Sequence, residues 1–232
     1  MARLNRGPNG PPSGKFGSVI GSSWRGIYYI KGIQKKITKA RSPLQIAQQN
    51  KFSFAVKFLS PVKALLNLGF SCINTGGATG YNMAISHMVQ NSIRGSDPDF
   101  EIDYHSVVFC TKGKLSLPET INMELNGMDL KVSWSVERGV SASSADTIDL
   151  LIFHPESFEY QTTPEGIKRG DGELLITLDK HYKGDTVHVY LYLTTSSTWV
   201  KKEWSNSVYL GPVKFRRVSD ITNDANQEGS RI

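Results

Sequence analysis

Acidic residues are absent from the first 96 positions of this 232-residue chain. That segment holds 13 of the 27 basic residues, which gives it a formal charge of +13, whereas the remaining 14 basic and 21 acidic residues give the rest −7. Charge segregated in this way indicates two parts with different tasks. We expect the basic part to meet an anionic surface: nucleic acid, an acidic protein face, or the acidic half of a neighbouring copy. The alternative is a solvated basic surface without a ligand.

Cysteine is scarce, and long apolar runs are missing. Cys72 and Cys110 are the only two cysteines. Two isolated cysteines fit a reducing compartment and do not predict a disulfide framework, so we expect synthesis in the cytoplasm. No apolar run approaches the roughly 20 residues of a membrane-spanning helix. The N-terminus leads into Gly and Pro instead of the apolar core of a secretory signal.

The change in residue composition along the chain predicts an α+β protein that is mainly β and has four parts. The Pro- and Gly-rich residues 1–13 are expected to form a flexible arm. Residues 14–96 are predicted to hold a basic β-hairpin, or two short strands, followed by helices. Residues 97–218 are predicted to form an immunoglobulin- or fibronectin-like β-sandwich that folds on its own. The polar residues 219–232 are expected to be a flexible tail.

Helix signals are concentrated in the middle of the chain. Ser42 and Gln45 have the spacing of a capping box, which predicts that a helix begins there. Pro61 interrupts the helical pattern, so it either kinks this helix or begins a second one. Gly69 is a plausible end for the helical stretch. Residues 81–94 are predicted to form a further helix.

Seven short segments rich in β-branched and aromatic residues predict the strands of the sandwich. They are residues 100–109, 129–136, 147–154, 157–162, 173–178, 186–193 and 205–211. Strict alternation in the second segment places Val132, Trp134 and Val136 on one apolar face. In the sixth segment the residues between the apolar ones include His188, which we therefore expect at the surface. Trp134 resembles the core tryptophan of immunoglobulin domains, although no cysteine pair flanks it.

Catalytic and metal-binding patterns do not emerge from the sequence. The five histidines are His87, His105, His154, His181 and His188, and no two have helical i, i+4 spacing. CxxC and HxxE patterns, which would suggest metal ligands, are also missing. The segment SGKF lacks the first glycine and the Ser or Thr of a phosphate-binding loop. We therefore predict no catalytic residues, no metal, no cofactor and no enzymatic activity.

The candidate binding element is the basic and aromatic segment at residues 24–41, together with the basic residues before it. Aromatic rings interleaved with Lys and Arg can stack on bases while the cations neutralise phosphates. The alternative is that Trp24, Tyr28 and Ile30 pack against the following helix while the cations stay solvated. The candidate residues are Arg3, Arg6, Lys15, Trp24, Arg25, Tyr28, Lys31, Lys35, Lys36, Lys39 and Arg41.

Three blocks of the sequence carry a resemblance to a known family. They are SGKFGSVIGSSWRGIYYI, then KKITKARSPLQIAQQNKFSFAVKFLSPVKALLNLGF, and finally GDTVHVYLYL with SNSVYLG. With them the chain resembles the uncharacterised Bacteroidota domain-of-unknown-function family number 6266. The resemblance implies an architecture and a bacterial or phage origin, and it implies no chemistry.

These observations favour a structural protein over an enzyme. An arm, a hairpin and an immunoglobulin-like domain in one short chain are analogous to virion components. The leading hypothesis is a phage or prophage assembly protein that binds copies of itself or other structural proteins through its basic half. The second hypothesis is a nucleic-acid-binding module that uses the same half.

Overall fold

The computed structural model describes residues 3–4, 10–24, 26–35, 39–70, 77–136, 143–163, 166–178, 185–195 and 203–214. Its contacts divide the chain into two units, Met1–Gln45 and Ile46–Ile232. Some residues that the sequence singled out lie outside the described residues, namely Arg6, Arg25, Lys36, Cys72, His181 and the predicted tail at 219–232.

The first unit contains a four-stranded antiparallel sheet whose strands lie in chain order. They are β1 (Arg3–Leu4), β2 (Pro12–Phe16), β3 (Val19–Trp24) and β4 (Ile27–Gly32). β-Branched and aromatic residues favour extended backbone in β3 and β4. Gly17 and Gly26 have φ values of +59° and +84°, which suit the tight turns before β3 and before β4. The predicted hairpin is therefore confirmed. In addition, β1 and the start of β2 fall within the predicted arm.

The described residues that follow include the helices α1 (Pro43–Leu59), α2 (Lys63–Gly69) and α3 (Gly80–His87). The predicted capping box is present, because the Ser42 backbone N–H donates to Gln45 Oε1 at 3.0 Å and the Gln45 N–H donates to Ser42 Oγ at 3.3 Å. Pro61 lies in the break between α1 and α2, and α2 ends at Gly69 as predicted. A π-helical turn extends α3 to Ser92, where the chain enters a strand two residues before the predicted end.

In the described residues, the sandwich consists of seven antiparallel strands in two sheets. They are β7 (Ile121–Asn126), β8 (Asp129–Trp134), β9 (Thr147–His154), β10 (Glu159–Thr162), β11 (Glu173–Thr177), β12 (Thr186–Thr194) and β13 (Val208–Lys214). One sheet has the order β11-β8-β7 and the other β10-β9-β12-β13. The fourth strand of the sandwich, β10, therefore pairs with the third. In an immunoglobulin constant domain, the fourth strand instead lies in the same sheet as the fifth strand.

Two strand assignments differ from the sequence-based prediction. Residues 100–109 do not belong to the sandwich: β5 (Ile93–Ser96) and β6 (Asp99–Ile102) form a separate hairpin, and a 3₁₀ turn follows. The first strand of the sandwich is β7, which the sequence analysis missed because Glu124 and the two asparagines dilute its β-forming residues. Trp134 is buried as predicted, but it lies on the second strand, whereas the core tryptophan of immunoglobulin domains lies on the third.

The second unit has two hydrophobic layers, one on each side of the sheet that contains β9 and β12. The layer inside the sandwich includes Val132, Ile152 and Val189. The other layer joins the opposite face of this sheet to the helices through Phe58 of α1, Phe153 of β9 and Tyr190 of β12. The rings of Phe58 and Phe153 meet edge to face with centroids 4.5 Å apart.

The second layer explains why the prediction for His188 is wrong. Alternation correctly places this residue on the face of β12 opposite the sandwich interior, but that face is covered, and His188 is only 8% exposed. Both faces of β12 are buried, so a polar face in the sequence does not mean a solvated face in the fold. The contacts also group the helices from Ile46 onwards with the sandwich, whereas the predicted boundary lay between residues 96 and 97.

Candidate functional site

The sheet of the first unit has almost no interior. Gly21 is the only buried residue among those described in this unit, and a Cβ atom there would clash with the carbonyl oxygen of Pro12. Large apolar side chains are instead exposed: Trp24 by 51%, Ile27 by 66%, Tyr28 by 56% and Ile30 by 57%. Within the first unit, Trp24, Tyr28 and Ile30 therefore do not pack into a core.

Strand register gives the two faces of this sheet different chemistry. Residues that pair directly across antiparallel strands share a face. Pairing of Lys15 with Ile20, and of Ile20 with Lys31, therefore places both lysines on one face, here called the lysine face. The lysine face also carries Ser22, Trp24, Ile27 and Tyr29. The opposite face, here called the apolar face, carries Phe16, Val19, Ser23, Tyr28, Ile30 and three glycines, and none of these residues is charged.

The structure brings some of the predicted binding residues together and separates others. Lys15, Trp24 and Lys31 share the lysine face, and Tyr28 lies on the apolar face. Tyr29 joins the lysine face although the sequence analysis did not select it. Alternation along β4 could have identified it. Trp24 and Ile27 flank a two-residue turn and share a face, and Tyr29 lies two residues after Ile27.

The remaining predicted binding residues lie away from these two faces or outside the description. Lys35, Lys39 and Arg41 are exposed between β4 and α1. For Arg3 only the backbone, in β1, is described, and Arg6, Arg25 and Lys36 fall outside the described residues.

Three polar side chains in the second unit form a row that resembles a hydrolytic triad. His154 Nδ1 lies 2.7 Å from Ser157 Oγ, and its Nε2 lies 3.0 Å from Asp185 Oδ2. In a hydrolase the imidazole would take the proton of the serine. Here Nδ1 also accepts the backbone N–H of Ser157 at 3.3 Å, and Ser157 Oγ donates to Glu159 Oε2 at 3.1 Å. The row therefore stabilises the turn after β9 and ties it to the start of β12.

A second polar group lies in the aromatic layer between the helices and the sandwich. The ring of His188 stacks on Tyr104 with centroids 3.4 Å apart, and its Nδ1 shares a hydrogen bond with the Tyr209 hydroxyl at 2.7 Å. Burial lowers the pKa of His188 to about 4. Burial, reinforced by the nearby Tyr104, raises the pKa of Tyr209 to about 12. Both groups are therefore neutral at pH 7 and act as packed, hydrogen-bonded parts of the core.

Comparison with models of protein families assigns the chain to a family. The model of the family described as "Family of unknown function (DUF6266)" matches residues 11–211. The chain belongs to the DUF6266 family. The match includes the strands β2 to β4, the three helices and almost the whole sandwich. No curated protein and no solved structure matches the sequence significantly.

Two open pockets lie on the second unit of this DUF6266 protein. One, of about 480 Å³, lies between α1 and α3 and includes Gln48, Phe52 and Ile85 in its lining. The other, of about 390 Å³, is lined mostly by aromatic side chains, with Glu101 and Tyr104 supplying polar atoms. Neither lining contains a histidine, cysteine or serine paired with a base, so neither has the arrangement of a nucleophilic catalytic site.

Metal-binding clusters and membrane-spanning helices are two further features that would point to a function in the described part of this DUF6266 protein. Within it, no three His, Cys, Asp or Glu side chains come together in a group that could hold a metal ion. None of its described helices has the length and apolar character of a membrane span.

Proposed function

We propose that this DUF6266 protein is a non-enzymatic structural protein that assembles through the sheet of its first unit. The observation that carries the proposal is the exposure of apolar side chains on both faces of that sheet. Isolated small sheets are marginally stable in water because they cannot bury enough apolar surface. Exposed apolar patches of this kind are typical of surfaces that bind another protein.

Light scattering coupled to size-exclusion chromatography tests the assembly proposal on the full-length protein. Ile27 and Leu175 provide a matched pair, because they are 66% and 65% exposed but lie in the first and the second unit, respectively. We expect the wild-type protein to form a discrete oligomer, Ile27→Lys to lower its mass towards the monomer, and Leu175→Lys to leave it unchanged. A wild-type protein that stays monomeric across the accessible concentration range would overturn the proposal.

Nucleic-acid binding is a second candidate, favoured by the composition of the lysine face. Lys15 and Lys31 share that face with the exposed rings of Trp24 and Tyr29. Residues 1–45 contain nine basic and no acidic residues. Binding to nucleic acid would weaken steeply as salt is raised, because each neutralised phosphate releases counterions. Fluorescence anisotropy with labelled single- and double-stranded oligonucleotides over a salt series distinguishes this candidate from assembly.

The biological setting of the assembly is proposed by analogy. We propose a phage or prophage virion, into which the protein is incorporated after synthesis in the cytoplasm. An N-terminal interaction segment joined to an immunoglobulin-like sandwich supports this setting through likeness of architecture alone. Genes for capsid, portal or tail proteins next to the coding sequence would support it. Neighbours that are consistently metabolic genes would contradict it.

A further inference from the structure

Strand β4 forms an open edge of the first unit's sheet. Among the described strands its only neighbour is β3, and every residue from Ile27 to Gly32 is exposed. Edge strands in natural proteins are commonly protected by charged side chains, especially lysine, by proline, by bulges or by a covering segment. β4 has no proline, and its register with β3 is continuous from Val19 to Trp24. Lys31 is the one charged residue of β4, and among the described residues the rest of this edge is open to pairing with another strand.

The turn before β4 determines which backbone groups face the open side. Two residues connect Trp24 to Ile27, and these flanking residues pair. In a two-residue hairpin the flanking pair exchanges both backbone hydrogen bonds, after which bonded and non-bonded pairs alternate. The odd-numbered residues of β4 are therefore bonded to β3, and the Ile33 N–H continues this pattern by donating to the Ser18 carbonyl oxygen at 3.2 Å. The backbone groups of Tyr28, Ile30 and Gly32 point outwards.

The sequence of β4 is complementary to itself in one antiparallel register. A two-fold axis at Ile30 uses all three outward-facing residues, because Tyr28 pairs with the partner's Gly32 and Ile30 pairs with the partner's Ile30. An aromatic ring across from an edge glycine covers the gap that the glycine leaves. Both of these pairs lie on the apolar face. An axis at Tyr29 would instead place Gly32 opposite Gly26, which lies in the turn.

The same register also gives favourable side-chain pairs on the lysine face. It places Tyr29 beside the partner's Lys31, so that the ammonium group can lie on the ring, and it keeps the two lysines from facing each other. Ile27 then lies opposite the partner's Ile33, and both side chains are exposed in the single chain. Between residues 27 and 33, no pair in this register opposes like charges.

We propose that two copies of this chain join through antiparallel pairing of β4 about a two-fold axis at Ile30, which makes one continuous sheet. This inference rests on the proposed assembly function and identifies its partner as a second copy. The interface is isologous, as expected for a symmetric dimer. It brings together two units that each carry nine basic and no acidic residues. Salt screens that repulsion, so self-association strengthens as salt is raised, whereas binding to an anion would weaken.

Disulfide cross-linking of the full-length protein tests the register. Ile30→Cys places two cysteines at a hydrogen-bonded pair, whose Cα separation of about 5.5 Å is within disulfide range. Ser23→Cys is the matched control, because it is exposed on the same apolar face but lies one strand further from the edge. Under mild oxidation we expect Ile30→Cys to shift from monomer to covalent dimer, and Ser23→Cys to remain monomeric. Cys110 is buried, and the wild-type protein controls for both native cysteines.

A mixing experiment fixes the register further. Tyr29→Cys and Lys31→Cys should each cross-link poorly alone and efficiently when the two variants are mixed. Efficient cross-linking of Tyr29→Cys alone would overturn the axis at Ile30. An oligomer seen by light scattering without a disulfide at Ile30 would overturn the β4 pairing and leave the assembly proposal standing. A monomer under all salt conditions would overturn both.

Discussion

Trp134 donates its indole N–H to the backbone carbonyl oxygen of Arg169 at 2.8 Å, which joins the end of β8 to the 3₁₀ turn before β11. Because the ring is also buried in the sandwich interior, we expect Trp134→Ala to lower the free energy of unfolding by about 3–5 kcal/mol. Trp134→Phe should cost less, since it keeps most of the apolar surface and loses the hydrogen bond. Urea denaturation measures both.

The control for this prediction is Val136→Ala, two residues further along the chain. Val136 is 48% exposed, so its truncation should change stability by less than about 0.5 kcal/mol. Equal costs at the two positions would contradict the assignment of Trp134 to the core.

A second prediction concerns the pH dependence of stability. Burial lowers the pKa of His188 to about 4 from its ordinary value of 6.5. Between these two values the unfolded chain binds a proton that the folded protein does not, so His188 makes the folded state less stable as the pH falls through this range. His188→Gln should therefore unfold with a shallower loss of stability between pH 6.5 and 4. An NMR titration in which the His188 ring protonates near pH 6.5 in the folded protein would contradict it.

The sequence was informative where one local signal has one structural solution. The Ser42–Gln45 spacing is typical of the start of a helix, and the predicted capping box is present in the structure. The strict alternation in β12 likewise identified the sandwich-facing residues. It could not show that His188 and Tyr190 on the other face are also buried, because that depends on helices distant in sequence. The lysine face could not be predicted, because its composition depends on how β4 pairs with β3, and a list of basic and aromatic residues does not contain that pairing.

A third prediction concerns Gly69, which the sequence marked as a helix end because glycine commonly ends helices. The structure adds a steric reason. A Cβ atom at this position would lie 2.6 Å from the Phe109 carbonyl oxygen and 2.7 Å from Cys110 Sγ. Gly69→Ala should therefore destabilise the protein by about 1–3 kcal/mol through overpacking. Leu68→Ala, in the same helix but exposed, is the control and should have little effect; thermal unfolding compares the two. If Gly69→Ala unfolds at the wild-type temperature, the close approach of α2 to residues 109–110 is wrong.

The last prediction concerns where an autonomous folding unit begins. A fragment of residues 97–218 contains all seven strands of the sandwich but lacks the helices. The outer face of β9 and β12 would then lose the cover that the helices supply, including the ring of Phe58 against Phe153, and would keep only what residues 100–110, Tyr160 and Trp204 provide. A fragment of residues 46–218 keeps Phe58 and the other helical residues that cover this face. We expect the longer fragment to unfold cooperatively in urea and the shorter one to be less stable, to bind a hydrophobic dye and to aggregate, because the apolar surface that the helices covered favours association once it is exposed. Equal unfolding free energies and equal dye binding for the two fragments would show that the sandwich is self-sufficient and that the boundary lies between residues 96 and 97.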